Sequence, residues 1–175
     1  MPQMPQNGST GADSKSLGLW SRVEAAVFAQ REGLSMADFK KINGSCFCGQ
    51  NQFEVTQPAV ETHHCHCSIC RRLQGAAFVT LSIFPEAGFR WVKGGDLDTF
   101  NSSPTVHRNR CKNCGSPLTI YLDAFKGLVA IPRADLPADA EPGHPAATLR
   151  HAYWPDRVKW IEVNDALPKV QGFDK

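Results

Sequence analysis

The sequence predicts a mostly β domain of antiparallel sheets clipped by metal, and three observations carry that prediction. After residue 41, short segments rich in β-branched and aromatic residues alternate with clusters of Gly, Pro, Asn and Asp. No long helical pattern separates these segments, which argues against a parallel, doubly wound sheet. All seven cysteines fall into three tight clusters, Cys46-Phe-Cys48-Gly49, Cys65-His-Cys67-Ser-Ile-Cys70 and Cys111-Lys-Asn-Cys114-Gly115, a spacing suited to tetrahedral metal sites.

Residues 1–15 are polar and rich in Pro, Gln, Gly and Ser. They offer little to bury against the entropy of ordering them and read as a disordered tail. From Leu17 to Glu32 the apolar positions Leu19, Trp20, Val23, Ala26 and Val27 recur at helical spacing, and Gly33 stands where a helix would stop. With a short turn that brings Met36 and Phe39 to one side, residues 16–40 read as an N-terminal helical extension packed on the main domain. That domain spans 41–170, with strands expected over 52–56, 77–83, 89–92, 117–122, 128–131 and 158–163.

A chain of 175 residues is long enough for one domain with a real core. A net charge of +2 gives no field that implies nucleic acid or an anionic membrane. No apolar run reaches the length of a bilayer span, and the N-terminal residues lack the apolar stretch of an export signal. The expectation is a cytoplasmic protein without nucleic-acid or membrane partners, in a reducing compartment that keeps thiolates free for metal. Disulfides fit poorly, since seven is odd and a Cys46–Cys48 bond would close a cramped ring.

The clusters divide unequally. Cys111 and Cys114 need a second pair, and Cys46 and Cys48 supply it, giving a closed four-cysteine zinc site that clips distant segments together. Each pair precedes a glycine, Gly49 or Gly115, which permits a tight turn that other residues resist. Cys65, Cys67 and Cys70 then form a second zinc site with one position open, so two zincs are expected per chain. A nearby His63, His64 or His66 is the alternative that would close it. Three thiolates make an anionic, soft centre, poor at generating hydroxide but suited to a further sulfur ligand. Its natural substrate is a small thiol, which becomes a nucleophile on losing its proton. Arg71 and Arg72 follow directly; either they bind an acidic end of that thiol or they balance the thiolate charge. His64, His66 and His151 are the candidates for proton transfer.

With Gly44-Ser-Cys46-Phe-Cys48-Gly49, then Cys65-His-Cys67-Ser-Ile-Cys70-Arg71-Arg72-Leu-Gln-Gly75-Ala, then Cys111-Lys-Asn-Cys114-Gly115-Ser116-Pro117-Leu118, the chain resembles the glutathione-dependent formaldehyde-activating enzyme family, also called the centromere-protein-V/Gfa domain. The likeness continues through Phe89-Arg-Trp-Val-Lys-Gly and Thr99-Phe-Asn-Ser-Ser-Pro to His151, Trp160-Ile-Glu-Val and Asp165-Ala-Leu-Pro168. It implies a β-tent fold with two zincs. The CxC and CxxCG pairs would hold a structural zinc, and CxCxxC a catalytic one. The implied activity is a carbon–sulfur lyase type of reaction, in which a glutathione-like thiol adds to a small carbonyl such as formaldehyde or leaves it. The chain departs from the family at His107-Arg-Asn-Arg110, without the usual aromatic before CxxCG, and at Lys159, where Pro is frequent. Neither touches an expected ligand. The alternative, a non-catalytic zinc module like the family's chromosome-associated members, would be expected to carry a basic extension, and only Lys15 precedes Arg22 here.

Overall fold

The computed structural model describes residues 39–144 and 146–173. The tail expected over 1–15 and the helical extension expected over 16–40 lie outside them, apart from Phe39 and Lys40, which lie in irregular chain. Among the described residues the protein is mostly β, with a single α-helix.

Strands β1 (Ile42–Ser45), β2 (Gln52–Val55) and β5 (Phe89–Lys93) form a three-stranded sheet in the order β1-β2-β5. The second sheet has seven strands: β3 (Glu61–Cys65), β4 (Val79–Pro85), β6 (Leu97–Ser103), β7 (Val106–Cys111), β8 (Pro117–Leu122), β9 (Leu128–Pro132) and β10 (His151–Ala152). Their order is β10-β3-β4-β9-β8-β7-β6, antiparallel throughout except where β10 runs parallel to β3. Helix α1 (Ser68–Gln74) fills the connection from β3 to β4 and ends at Gly75.

Alternation along the strands gives the large sheet two apolar faces. Phe84, Leu118, Val129 and Ile131 meet Ile42, Phe53 and Val55 of the small sheet in one core. Leu81 and Ala130 point the other way by alternation, as does Ile120 beyond the register shift in the pairing of β8 with β7, and they form a second cluster with Cys65, Cys70 and Val79. A fully buried side chain such as Phe53 or Phe84 contributes roughly 1.5–3 kcal/mol by leaving water. The second cluster is the floor on which the CxCxxC segment rests.

Five expected strands form, with ends shifted by a few residues, but the sixth does not. Residues 158–163 are irregular, with Trp160 and Ile161 exposed. Strand propensity is realised only where a ladder is open, and the outer edge of β10 is taken by a later segment. His151 N–H donates to the Pro168 carbonyl at 2.8 Å and Val170 N–H to the His151 carbonyl at 2.9 Å. Phe173 then packs edge-on against His63, Phe125 and Tyr153. No helix among the described residues is long and apolar enough to cross a membrane.

Candidate metal centres

Two hairpin ends build the four-sulfur group. Cys46 and Cys48 lie in the turn from β1 to β2, where Gly49 takes φ +69° and donates its N–H to the Cys46 carbonyl at 3.0 Å. Cys111 and Cys114 lie in the turn from β7 to β8, where Gly115 takes φ +75° and donates to the Cys111 carbonyl at 2.8 Å. These left-handed conformations favour glycine, which accounts for the residue following each pair. A hydrogen bond from Phe47 N–H to Ser116 Oγ, 3.0 Å, joins the two turns.

The sulfurs of Cys46, Cys48, Cys111 and Cys114 all lie within 4.8 Å of one another. Four thiolates around one zinc at about 2.3 Å would stand about 3.8 Å apart, and the Cys46–Cys48 and Cys48–Cys111 separations are 3.6 and 3.7 Å. Donor chemistry and spacing therefore fit a tetrahedral metal ion. Hydrogen bonds from Ser116 hold the Cys114 thiol down to about 5, and one with Asn113 lowers Cys48, whereas burial raises Cys111. The exposed side of the group is thus disposed to the thiolate form that a metal requires.

The second group comprises Cys65, Cys67 and Cys70, again with all sulfurs within 4.8 Å. Strand β3 delivers Cys65, whose partner across the ladder is Val79, so its side chain falls on the apolar floor. Cys67 is the N-cap of α1, its sulfur accepting from Cys70 N–H at 3.3 Å, and Cys70 follows in the first turn. Cys65 and Cys70 are buried, while Cys67 is half-exposed. Three sulfurs this close cannot all ionise without a cation among them. Hydrogen bonds from Cys65 and Cys67, followed by the charge of Arg108, pull the Cys70 thiol far down. The bond with Cys67 pushes the Cys65 thiol up, and Cys67, eased by Cys65, is raised on balance by Cys70 and burial. A metal entering here would displace protons from the two raised thiols.

None of the three suspected histidines joins this group among the described residues. His63 Nδ1 meets Glu61 Oε1 at 2.7 Å, His64 Nδ1 meets Thr80 Oγ1 at 2.8 Å, and His66 Nε2 meets His151 Nδ1 at 2.8 Å. Burial, reinforced by His151, lowers both His64 and His66, the latter to about 4. Arg71 turns its Nε to the His66 carbonyl at 2.9 Å and so braces the loop, and Arg72 is exposed.

The cation that faces the sulfurs is Arg108, which sequence reasoning did not single out. It is buried, its Nη2 lies 3.5 Å from Cys70 Sγ, and its Nε donates to Ser102 Oγ at 2.7 Å. Pairing explains its position: Arg108 lies opposite Ile120, which shares the apolar floor with Cys70. Strand β7 carries too few apolar residues to be recognised alone, so the useful clue was its register with β8.

The family model described as glutathione-dependent formaldehyde-activating enzyme matches residues 41–154. A Phaeosphaeria nodorum protein is 35% identical over 140 residues, covering 74% of this chain and 74% of its own length. An Aspergillus terreus protein is 26% identical over 74% of this chain and 73% of its own, and one from Halomonas elongata is 25% identical over 70% and 80%. All three are provisionally named as glutathione-dependent formaldehyde-activating enzymes.

Proposed function

The chain belongs to the glutathione-dependent formaldehyde-activating enzyme family, and from that premise we propose that it is a zinc-dependent enzyme of the carbon–sulfur lyase type. Its reaction adds a glutathione-like thiol to a small carbonyl compound such as formaldehyde, or reverses that addition. The observation that carries this reading is the inequality of the two sulfur groups. Among the described residues four cysteines complete one set, whereas the other stops at three with Cys67 partly exposed. The two sheets are read as a β-tent held by the four-cysteine zinc.

Cys65, Cys67 and Cys70 would hold the second zinc, which when bound supplies Lewis acidity and one further coordination position that favours sulfur. The protein's own residues have distinct tasks. Arg108 offsets the charge of the three thiolates from the buried side. Arg71 fixes the backbone between Cys65 and Cys67, and Arg72, which is exposed, is the residue we assign to a carboxylate of the thiol. In the addition the thiol S–H bond breaks, a carbon–sulfur bond forms, the carbonyl π pair moves to oxygen and the proton ends there. No oxidant or reductant is needed.

The test is formaldehyde consumption by zinc-loaded protein with and without glutathione. Glutathione is expected to accelerate consumption above the uncatalysed reaction of the two compounds. A rate equal to that background, with both centres loaded, would remove the enzymatic reading.

A further inference from the structure

Arg108 is buried against the three clustered cysteines, at 8% exposure. Its Nη2 lies 3.5 Å from Cys70 Sγ, and its Nε donates to Ser102 Oγ at 2.7 Å. Strand pairing holds it there, opposite Phe100 of β6 on one side and Ile120 of β8 on the other. Arg71 turns its Nε to the His66 carbonyl instead, and Arg72 is exposed.

The four-cysteine group is served differently. Neutral groups hydrogen-bond its sulfurs: Asn51 N–H donates to Cys46 Sγ at 3.3 Å, Ser116 Oγ meets Cys114 Sγ at 3.2 Å, and the Asn113 side chain meets Cys48. Cys48 is exposed, so water shares its charge, whereas Cys65 and Cys70 of the other group are both buried. Four thiolates around a divalent ion leave two formal negative charges, and three leave one. A thiolate joining the three-cysteine group would bring it to the same charge in a buried place, where an uncompensated charge is costly. A guanidinium touching Cys70 offsets that charge in advance, and it cannot give up its proton.

We propose that Arg108 determines which kind of ligand the three-cysteine centre accepts: its buried charge favours an anionic fourth ligand, a thiolate, over a neutral one. This rests on the reading of that centre as the thiol site and adds the residue that sets its preference. Arg108 acts through charge at Cys70 and does not itself hold the thiol's acidic end, because its Nη2 and Nε are directed to Cys70 and Ser102. Ser102 keeps the guanidinium from turning away from the sulfurs.

Full-length protein loaded with cobalt(II) at both centres reads ligand binding through its absorption spectrum, and the bands of the four-cysteine centre report in the same sample that the fold is intact. 2-Mercaptoethanol, which binds as a thiolate and has no carboxylate, is the anionic probe, and imidazole is the neutral one. Arg108→Met is expected to weaken mercaptoethanol binding by about 10- to 100-fold and imidazole binding by less than about threefold. Arg108→Lys, which keeps the charge, should bind mercaptoethanol within about fivefold of the wild type. If Arg108→Met does not fold, Arg108→Gln carries the same expectation. Unchanged mercaptoethanol affinity in the charge-free variant, or an equal loss for both probes, would overturn the proposal. So would a loss seen with glutathione and not with mercaptoethanol, which would make Arg108 a carboxylate anchor. A wild-type spectrum that responds to no thiol would instead overturn the reading on which the proposal rests.

Discussion

Cys114→Ser is expected to lower the melting temperature by roughly 10 °C or more and to release one equivalent of metal. Cys114 sits in the turn from β7 to β8 of the large sheet, whereas Cys46 and Cys48 sit in the turn from β1 to β2 of the small one. A metal held by all four joins two sheets that otherwise meet through the Phe53, Phe84 and Leu118 core. Binding free energy at such a site is folding free energy, and losing on the order of 4 kcal/mol of it, at about 2–4 °C per kcal/mol, gives the expected shift. Thermal melting followed by circular dichroism, with metal analysis of the same sample, measures both effects. A stable Cys114→Ser protein that retains full metal would show that this group is not the clip.

Cys67→Ser is expected to have the opposite profile, with melting close to wild type and thiol-dependent turnover reduced to background. Cys67 is the N-cap of α1, and its sulfur accepts the Cys70 N–H. Serine is itself a preferred N-cap, so the helix start survives the exchange. What is lost is one of only three soft donors, the half-exposed one, which weakens the hold on metal where the thiol would enter. Parallel measurement of melting and formaldehyde consumption separates the two variants. If Cys67→Ser unfolded and Cys114→Ser remained active, the roles assigned to the two groups would be reversed.

The clusters were legible because each is local: a CxC, CxCxxC or CxxC spacing delivers sulfurs to one place whatever the rest of the fold does. Five of the strands were legible for a similar reason, since their β-branched and aromatic residues face a core on at least one side. What escaped depends on pairing. Arg108 reads as a surface charge within His107-Arg-Asn-Arg110 until β7 is set against β8, when it falls beside Ile120 and Cys70. Arg71, adjacent in sequence to the third cysteine, instead braces a backbone carbonyl. The Asp165–His151–His66 chain joins residues from three separate segments, and no short motif announces it. Residues 158–163 show the converse error, where propensity was present and the sheet edge was already filled by the Pro168–Val170 bonds.

One closed and one open metal centre is the claim on which the functional reading depends, and cobalt(II) in place of zinc makes the difference visible. Sulfur ligation of cobalt gives thiolate-to-metal charge-transfer absorption that grows with each added sulfur. With both centres loaded, glutathione is expected to intensify that absorption, and to do so no longer when Cys65, Cys67 and Cys70 are replaced while the four-cysteine group stays filled. An unchanged spectrum across a full glutathione titration of the doubly loaded wild type would contradict the account.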